Sequence, residues 1–274
     1  METSKILVSI IIPCRNEAAG DRLPRFLGEL MAEDLSQAEI IVIDDRSDDD
    51  TFRVANEFSE RAGRAGVPML CGKTKVRSYC GGARNEGLSL AMGEYVWMID
   101  GDCHLERGAL TAVYDAIAEH PSMIICGINN WLPDCVESFT PSASAKIIRR
   151  DLVVRFREDW GFEDVDWWIR QVDACKCDGD GISIIRKTLV RFPDECMSSS
   201  INRFIWESMK IWSVLKGATD EEDSPVNPLT PASFLRVAAE LVDMKMTGAV
   251  KTSAARHMLD RSLEIHLNHV RRMF

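Results

Sequence analysis

Apolar and polar residues follow two different periods along the first half of the chain. Short runs of consecutive apolar residues, such as KILVSIIIP and EYVWMID, are typical of strands that are buried on both faces. Between these runs lie segments in which apolar residues recur every three or four positions, as in LPRFLGELM, and this spacing predicts amphipathic helices. Strand and helix signals alternate from KILVSIIIP to SMIICGI. We therefore predict an α/β fold with a mostly parallel sheet and helices on both faces.

The second half of the chain has a less regular pattern. The alternation ends near residue 129, where NNWLPDCVESFTPSASAKIIRR predicts a long loop whose small residues pass close to a ligand. FEDVDWWIRQV then predicts a helix, and GDGISIIRKTLVRF predicts one or two strands. The stretch GATDEEDSPVNPLTP predicts a linker by its glycine, proline and acidic content. Two helical patterns near residues 232–246 and 250–273 then predict a C-terminal helical appendage.

The composition narrows the class of protein. The longest apolar runs are far shorter than a membrane span, and the start METSKILVS has no basic and apolar leader, so we expect a cytoplasmic protein. Nine cysteines without a CxxC pair favour reduced thiols over a disulfide framework. The net charge of −10 argues against broad binding to nucleic acid. The basic stretch ARHMLDRSLEIHLNHVRRMF is either a solvated helix or a local contact with nucleic acid or the inner face of a membrane.

Acidic residues follow one of the most apolar strands. Ligands of open parallel sheets bind beyond the carboxyl ends of the strands, where this chain has PCRNE, DDRSDDD and DGDC. None of these segments is a glycine-rich phosphate loop, so a bound diphosphate would need another source of positive charge. Asp100 and Asp102 flank Gly101, and carboxylates of this kind bind Mg²⁺ or Mn²⁺. The alternative is an acidic turn in which Asp102 caps the next helix.

Two further acidic segments have both a functional and a structural interpretation. Asp44 or Asp45, at a strand end, could accept a hydrogen bond from the N3–H of uracil, or the segment could simply cap a helix. Glu163 and Asp164 lie in the first turn of a predicted helix, where the helix dipole favours ionised carboxylates that can act as general bases. The nearby tryptophans could offer a flat surface to a sugar ring, but we expect at least one of the pair WW at 167–168 to be buried core.

Five motifs in this order resemble the family 2 glycosyltransferases, over about residues 5–200. They are VSIIIPCRNE, IIVIDDRSDDDT, GGARNEGL, WMIDGDC and GFEDVDWWIR. The resemblance implies a GT-A (Rossmann-like) fold and transfer of a sugar from a nucleotide sugar, usually a UDP-sugar, to an acceptor hydroxyl with inversion. It also implies a glycosyltransferase domain over 1–216, with a nucleotide-binding half (1–128) and an acceptor half (129–216), followed by a linker and helices over 217–274.

The resemblance assigns roles to individual residues. It implies that Asp164 is the catalytic base with Glu163 beside it, and that Asp102 and Asp100 hold Mn²⁺ or Mg²⁺. The family often has a later histidine that completes the metal site, and here RFPDECMSSS stands in its place, so Glu195 or Asp194 could substitute, or water could be the third ligand. The residues implied to bind the nucleotide are Pro13, Arg15, Asn16, Glu17, Asp44, Asp45, Arg84, Asn85 and Asp100.

Two other functions remain open from the sequence. A sugar-1-phosphate nucleotidyltransferase shares the alternating architecture, but usually opens with a glycine-rich basic loop that IIPCRNEAAG lacks. A catalytically silent module that binds nucleotide sugars would differ only in lacking turnover. The acceptor is left open among a glycan, a lipid-linked glycan, a small molecule and a modified nucleic-acid base. Oligomerisation through the C-terminal helices is also left open.

Overall fold

The computed structural model describes residues 5–129, 132–133, 142–157, 163–178, 181–193 and 240–248, and single residues at 256, 259, 260, 262 and 263. Among these, eight strands form one sheet in the order β3-β2-β1-β4-β7-β6-β8-β5. The strands are β1 (Val8–Cys14), β2 (Ala38–Asp44), β3 (Met69–Lys73), β4 (Tyr95–Met98), β5 (His104–Leu105), β6 (Met123–Ile128), β7 (Lys146–Arg149) and β8 (Ile182–Arg191). The helices are α1 (Arg22–Leu30), α2 (Thr51–Arg64), α3 (Tyr79–Leu90), α4 (Ala109–Ile117) and α5 (Glu163–Asp178).

The first half of the chain forms the parallel part of the sheet, as the sequence predicts. Strand β1 pairs in parallel with both β2 and β4, and β2 pairs in parallel with β3. All seven residues of β1 and all seven of β2 are buried, which explains their nearly continuous apolar sequences. The carboxyl ends of these four strands therefore meet at one edge of the sheet.

Strand β7 corrects the sequence prediction for its segment. The sequence predicts a loop for KIIRR, whereas Lys146–Arg149 forms a strand between β4 and β6 and runs antiparallel to both. Four residues are too few to display a strand period, and the preceding serines, alanines and proline resemble a loop. The sequence does not predict the two-residue strand β5, for the same reason. Residues 182–191 form one strand, β8, whose pairing with β6 shifts register twice.

The helices pack on the sheet through the faces that the sequence predicts. In α1 the buried residues are Leu23, Phe26, Leu27 and Leu30, at the spacing of an amphipathic helix. Helix α3 approaches β1 closely at Gly87, where an added Cβ atom would lie 2.4 Å from Cγ2 of Ile11. Absence of a side chain at this position lets α3 lie directly on the sheet. The first turns of α3 are thereby held next to the carboxyl edge.

The cysteines and the C-terminal segment add two observations. Within the described residues, six cysteines form no disulfide, and four of these six are buried. Burial raises the pKa of the Cys126 thiol to about 12. Residues 240–247 are helical, which overlaps the helix predicted near residues 232–246, and Leu241 is fully buried. None of the helices in the described part of the chain is long and apolar enough to cross a membrane.

Candidate active site

The polar segments that follow β1, β2 and β4 lie next to one another at the carboxyl edge of the sheet. Cys14 at the end of β1 is in register with Asp44 at the end of β2. On the other side of β1, the backbone N–H of Gly101 donates to the carbonyl of Pro13 at 3.3 Å. The acidic turn after β4 and the acidic turn after β2 therefore flank the loop that begins at Pro13.

The two acids at the end of β2 are buried and have different partners. The carboxylate of Asp44 accepts hydrogen bonds from the backbone N–H and the hydroxyl of Ser47, and Nζ of Lys73 lies 3.3 Å from its Oδ2. Oδ1 of Asp45 accepts from the hydroxyl of Thr74 at 2.8 Å and from the backbone N–H of Ser78 at 2.8 Å.

All hydrogen bonds to the Asp45 side chain within the described residues fall on Oδ1. Asp45 is 4% exposed, so burial and these bonds fix its orientation. Its carboxylate thereby anchors the loop 74–78 and the start of α3. Oδ2 is the acceptor that remains for a ligand.

Hydrogen bonds between two loops position the residues after β1. Asn16 has a left-handed backbone with φ of 56°, and its Oδ1 accepts from the backbone N–H of Asp48 at 2.9 Å. The hydroxyl of Thr51 accepts from the backbone N–H of Glu17 at 2.7 Å. Arg15 donates to the carboxylate of Asp48 at 3.3 Å. The loop after β1 is thus fastened to the start of α2.

The arginine of the GGARNEGL segment binds one of the candidate metal ligands. Nη2 of Arg84, in a residue that is 5% exposed, donates to Oδ1 of Asp100 at 2.6 Å. The neighbouring Asn85 is hydrogen-bonded to the backbone of Phe156. Its Nδ2 donates to the carbonyl of Phe156, and its Oδ1 accepts from the backbone N–H of Phe156, both at 2.9 Å. Asn85 therefore anchors the segment that contains Phe156.

A stack of side chains connects this edge to helix α5. The guanidinium carbon of Arg84 lies 5.2 Å from the ring centroid of Phe156, and that ring is stacked on Trp167 with centroids 4.8 Å apart. Asp164 is half-buried and precedes Trp167 by three residues, so the two share one face of α5. The side-chain series from Asp100 through Arg84 and Phe156 leads to the turn of α5 that carries Asp164.

The tryptophan pair is part of the core. Trp167 and Trp168 are both fully buried, so they do not present a flat surface to a sugar, and the structural interpretation is confirmed. The indole N–H of Trp167 donates to the carbonyl of Val154 at 2.9 Å, and Nζ of Lys146 lies 4.2 Å from the ring of Trp168. Trp160, Asp194 and Glu195 lie outside the described residues, as does the side chain of Glu163.

Three carboxylates at this edge interact electrostatically. Burial, and secondly the charge of Asp100, raise the pKa of Asp102. Burial, and secondly the charge of Asp102, raise the pKa of Glu17 to about 7, although Arg22, whose Nε lies 2.6 Å from Oε2 of Glu17, opposes this shift. The negative charge of each carboxylate disfavours ionisation of its neighbour, and a bound cation would relieve this repulsion.

Arginines of α1 also belong to the site, and sequence reasoning missed them. Nη2 of Arg25 donates to the backbone carbonyl of Asp102 at 2.8 Å, and Nη2 of Arg22 donates to the carbonyl of Asn16 at 2.9 Å. The signal in the sequence is the pair of arginines in DRLPR, on a helix that is otherwise apolar on its buried face. These two arginines tie the loops after β1 and β4 to α1.

Two carboxylates of the described chain are available for a divalent cation. Among the described residues, no group of three or more histidine, cysteine, aspartate or glutamate side chains could hold a metal ion. Asp100 and Asp102 nevertheless fit Mg²⁺ or Mn²⁺, because such ions usually take one or two protein carboxylates and complete their shell with phosphate and water. Burial is the main cause of the raised pKa of Asp102, and the negative charge of Asp100 adds to it.

Comparison with models of protein families shows which family the chain belongs to. The model of glycosyl transferase family 2 matches residues 9–177. The chain belongs to glycosyl transferase family 2. Among curated family 2 relatives, it is 32% identical over 140 residues to the dolichyl-phosphate beta-glucosyltransferase of Dictyostelium discoideum, covering 47% of this chain and 42% of that protein.

A second curated relative has a different acceptor in its name. The chain is 29% identical over 133 residues to the poly(ribitol-phosphate) beta-N-acetylglucosaminyltransferase TarP of Staphylococcus aureus, covering 44% of this chain and 36% of that protein. These matches span less than half the length of either relative. The matched segments also make up less than half of this chain.

Solved structures confirm the GT-A fold of this family 2 member. S. aureus TarS 1–349 in complex with UDP-GlcNAc superposes with a TM-score of 0.63 at 17% identity, covering 97% of this chain and 92% of that one. The mannosyltransferase PcManGT of Pyrobaculum calidifontis, in complex with GDP-Man and Mn²⁺, gives a TM-score of 0.62 at 17% identity and covers 99% of this chain and 88% of that one.

Proposed function

We propose that this protein is an inverting glycosyltransferase that moves a sugar from a UDP-sugar to an acceptor hydroxyl. The observation that carries the proposal is the connection from Asp100, at the end of β4, through Arg84 and Phe156 to Trp167 on α5. This connection would bring the candidate general base Asp164 close to the candidate diphosphate site at the end of β4. Family membership supports the same reaction.

The donor would be held at the ends of β1 and β2. Oδ2 of Asp45 is oriented by the bonds on Oδ1 and would accept a hydrogen bond from the N3–H of uracil. The loop from Pro13 to Glu17, which is fastened to the start of α2, would line the ribose. The UDP-GlcNAc complex of TarS supports uridine as the nucleoside. Because PcManGT is in complex with GDP-Man, a guanosine donor is included in the assay described below.

Asp100 and Asp102 are the residues that would hold Mn²⁺ or Mg²⁺. Bound there, the cation would supply positive charge to the diphosphate that departs from the sugar. Arg84 neutralises Asp100 in part and keeps its carboxylate in one position. Arg25 holds the backbone of Asp102 in place. The Mn²⁺ in the PcManGT complex supports a metal of this kind.

Asp164 would act as the general base. The acceptor oxygen attacks the anomeric carbon, the bond from that carbon to the diphosphate oxygen breaks, and the acceptor proton moves to the carboxylate of Asp164. Because attack and departure occur on opposite faces, one displacement inverts the anomeric carbon. Glu163 precedes this residue in the first turn of α5, where the helix dipole favours a negative charge. The catalytic unit is proposed to span 1–216, with a donor half over 1–128.

A panel of nucleotide sugars tests the proposal. Purified protein is incubated with Mn²⁺ and UDP-glucose, UDP-galactose, UDP-GlcNAc or GDP-mannose, and release of the nucleoside diphosphate is measured with and without simple sugar acceptors. We expect turnover with a UDP-sugar and a loss of about 10²- to 10⁴-fold in Asp164→Asn. Asp115→Asn, which alters an exposed aspartate on α4, is the matched control and should retain full activity.

The two alternative functions give different results in the same assay. Binding of UDP without release of UDP from any donor would identify a silent binding module. Release of pyrophosphate from a nucleoside triphosphate and a sugar 1-phosphate would identify a nucleotidyltransferase. The curated relatives carry different acceptors in their names, so the choice of acceptor is read from product analysis rather than from family membership.

A further inference from the structure

Tyr79 has a backbone conformation that is unfavourable for its side chain. It is the first residue of α3, and its φ is 57°, in the left-handed region that bulky residues avoid. The preceding residue, Ser78, donates its backbone N–H to Asp45 at 2.8 Å and has its hydroxyl 3.3 Å from the same oxygen. The buried carboxylate of Asp45 therefore holds the chain in the turn that imposes this conformation.

Burial of the ring does not compensate for the strain. Tyr79 is 44% exposed, and the guanidinium carbon of Arg77 lies 4.8 Å from the ring centroid. Phe156 and Trp167, the stacked aromatic pair behind this edge, are 4% and 0% exposed. Among the residues that the structure describes, Tyr79 is the one aromatic residue with an exposed side chain. Strained residues that persist without a packing reason are concentrated at ligand sites.

The position of Tyr79 relative to Asp45 indicates the ligand. Oδ1 of Asp45 is bound by Ser78, the neighbour of Tyr79, whereas Oδ2 accepts no hydrogen bond within the described residues. A group that donates an N–H to Oδ2 would therefore lie beside the turn that carries the aromatic ring. A pyrimidine base has such an N–H and a flat face, and a base stacked on an aromatic ring is a common mode of recognition.

We propose that Tyr79 stacks on the nucleobase of the donor that Asp45 binds, with Arg77 on the opposite face of the tyrosine ring. This inference rests on the proposed function, because it assumes that a nucleotide occupies this edge. The hydrogen bond to Asp45 recognises the edge of the base, and stacking of Tyr79 on the face of the base increases the affinity. Lys73 at the end of β3 forms an ion pair with Asp44, and Lys75 is exposed in the following loop.

Three substitutions separate a role in binding from a role in folding. Dissociation constants for UDP are measured calorimetrically in the presence of Mn²⁺ for the full chain and for Tyr79→Phe, Tyr79→Ala and Tyr79→Gly. We expect Phe to bind within about twofold of wild type, and Ala and Gly to bind about 5- to 150-fold more weakly, since stacking on one base has this effect. Because glycine accepts positive φ without strain, Tyr79→Gly should melt at or above the wild-type temperature.

Inorganic pyrophosphate with Mn²⁺ is the control ligand, because it has no base. Its affinity should be the same in all four proteins. Equal affinity of wild type and Tyr79→Gly for UDP overturns the inference, as does an equal loss for UDP and pyrophosphate. If wild type binds UDP and turns over a UDP-sugar in an Asp164-dependent manner, those two outcomes overturn only the role of Tyr79. Wild-type protein that binds neither UDP nor any other nucleoside diphosphate overturns the proposed function as well.

Discussion

Arg84 donates a hydrogen bond to Asp100 at 2.6 Å from a position that is almost fully buried. The same guanidinium lies over the ring of Phe156, so one side chain joins the end of β4 to the segment on which α5 packs. Arg84→Met removes the charge and keeps a flexible side chain of similar length. We expect a loss of about 2 kcal/mol in the free energy of unfolding, because hydrogen bonds between charged groups contribute about 1.5–3 kcal/mol.

Urea denaturation measures this loss. Arg53→Met is the matched control, because it removes an arginine that forms ion pairs with Asp50 and Glu57 on the exposed face of α2. That variant should unfold at the wild-type urea concentration, as exposed ion pairs contribute little. Equal shifts of the urea midpoint in the two variants would mean that the ion pair of Arg84 and Asp100 stabilises the protein no more than an exposed ion pair does.

Asp102 and Asp164 should affect different steps of the reaction. Asp102→Ala removes a carboxylate from the candidate cation site, so the Mn²⁺-dependent part of UDP affinity should fall by about tenfold or more. Asp164→Asn removes the proton acceptor and should leave UDP affinity within about twofold of wild type while turnover is lost. Calorimetric titration of UDP, with and without Mn²⁺, measures the first effect. If both variants lose UDP affinity equally, the division of roles is wrong.

Glu17 should make the stability of the metal-free protein depend on pH. Burial and the charge of Asp102 raise its pKa from 4.5 to about 7, so the folded state binds this proton more tightly than the unfolded state. The resulting stabilisation is present below pH 4.5 and is lost as the pH rises through 7. Glu17→Gln has no proton to lose, and we expect its melting temperature to gain on that of wild type between pH 5 and pH 8.

Thermal unfolding in the absence of added metal measures the difference between Glu17→Gln and wild type at each pH. Taking the difference cancels the titration of groups that both proteins share. A difference that stays constant from pH 5 to pH 8 would contradict the raised pKa.

Gly87 should tolerate no side chain. An alanine Cβ would lie 2.4 Å from Cγ2 of Ile11, a distance that forces α3 and β1 apart. We expect Gly87→Ala to lower the free energy of unfolding by about 1–3 kcal/mol through overpacking. Gly28→Ala on α1 is the matched control. Its Cβ would meet nothing within 4 Å, so the substitution should stabilise the protein by about 0.5–1 kcal/mol.

Urea denaturation of these two variants gives opposite signs if the close approach is real. Because α3 carries Arg84, we also expect Gly87→Ala to reduce turnover more than its loss of stability explains. Stabilisation by both substitutions would show that α3 can move away from β1 without cost.

The parallel half of the fold could be predicted from sequence because β1, β2 and β4 are buried on both faces, although β3 is partly exposed. VSIIIPC and AEIIVID are almost unbroken apolar runs, and the helices between them have clear periodicity. Strand β7 could not be predicted, since KIIR is short and begins with Lys146, a charged residue that the structure buries completely. A lysine is predicted at the surface unless its partners are known. Here they include the carbonyl of Ser142, four residues earlier, and the ring of Trp168 on α5.

The candidate site could be predicted from sequence only where the residue type and its position at a strand end together indicate a chemical role. Acidic residues at strand ends indicate, from the amino-acid sequence alone, a cation-binding site or a general base. The fold brings the acidic residues after β1, β2 and β4 to one edge of the sheet. The clamp of Asn85 on the backbone of Phe156 joins residues 71 positions apart, and no sequence period reports such a contact. The backbone strain at Tyr79 could not be predicted either. A tyrosine at the start of a helix is common in sequences, and nothing in the sequence indicates its positive φ.

Strand β7 limits the motions that are available to this protein. Its backbone is hydrogen-bonded to β4 on one side and to β6 on the other, so the parallel half and the remainder of the sheet form one continuous ladder. A hinge between two halves would have to break that ladder. Under the proposed function, entry of the donor and departure of the nucleotide should therefore depend on rearrangement of the loops at the carboxyl edge, while the sheet stays rigid.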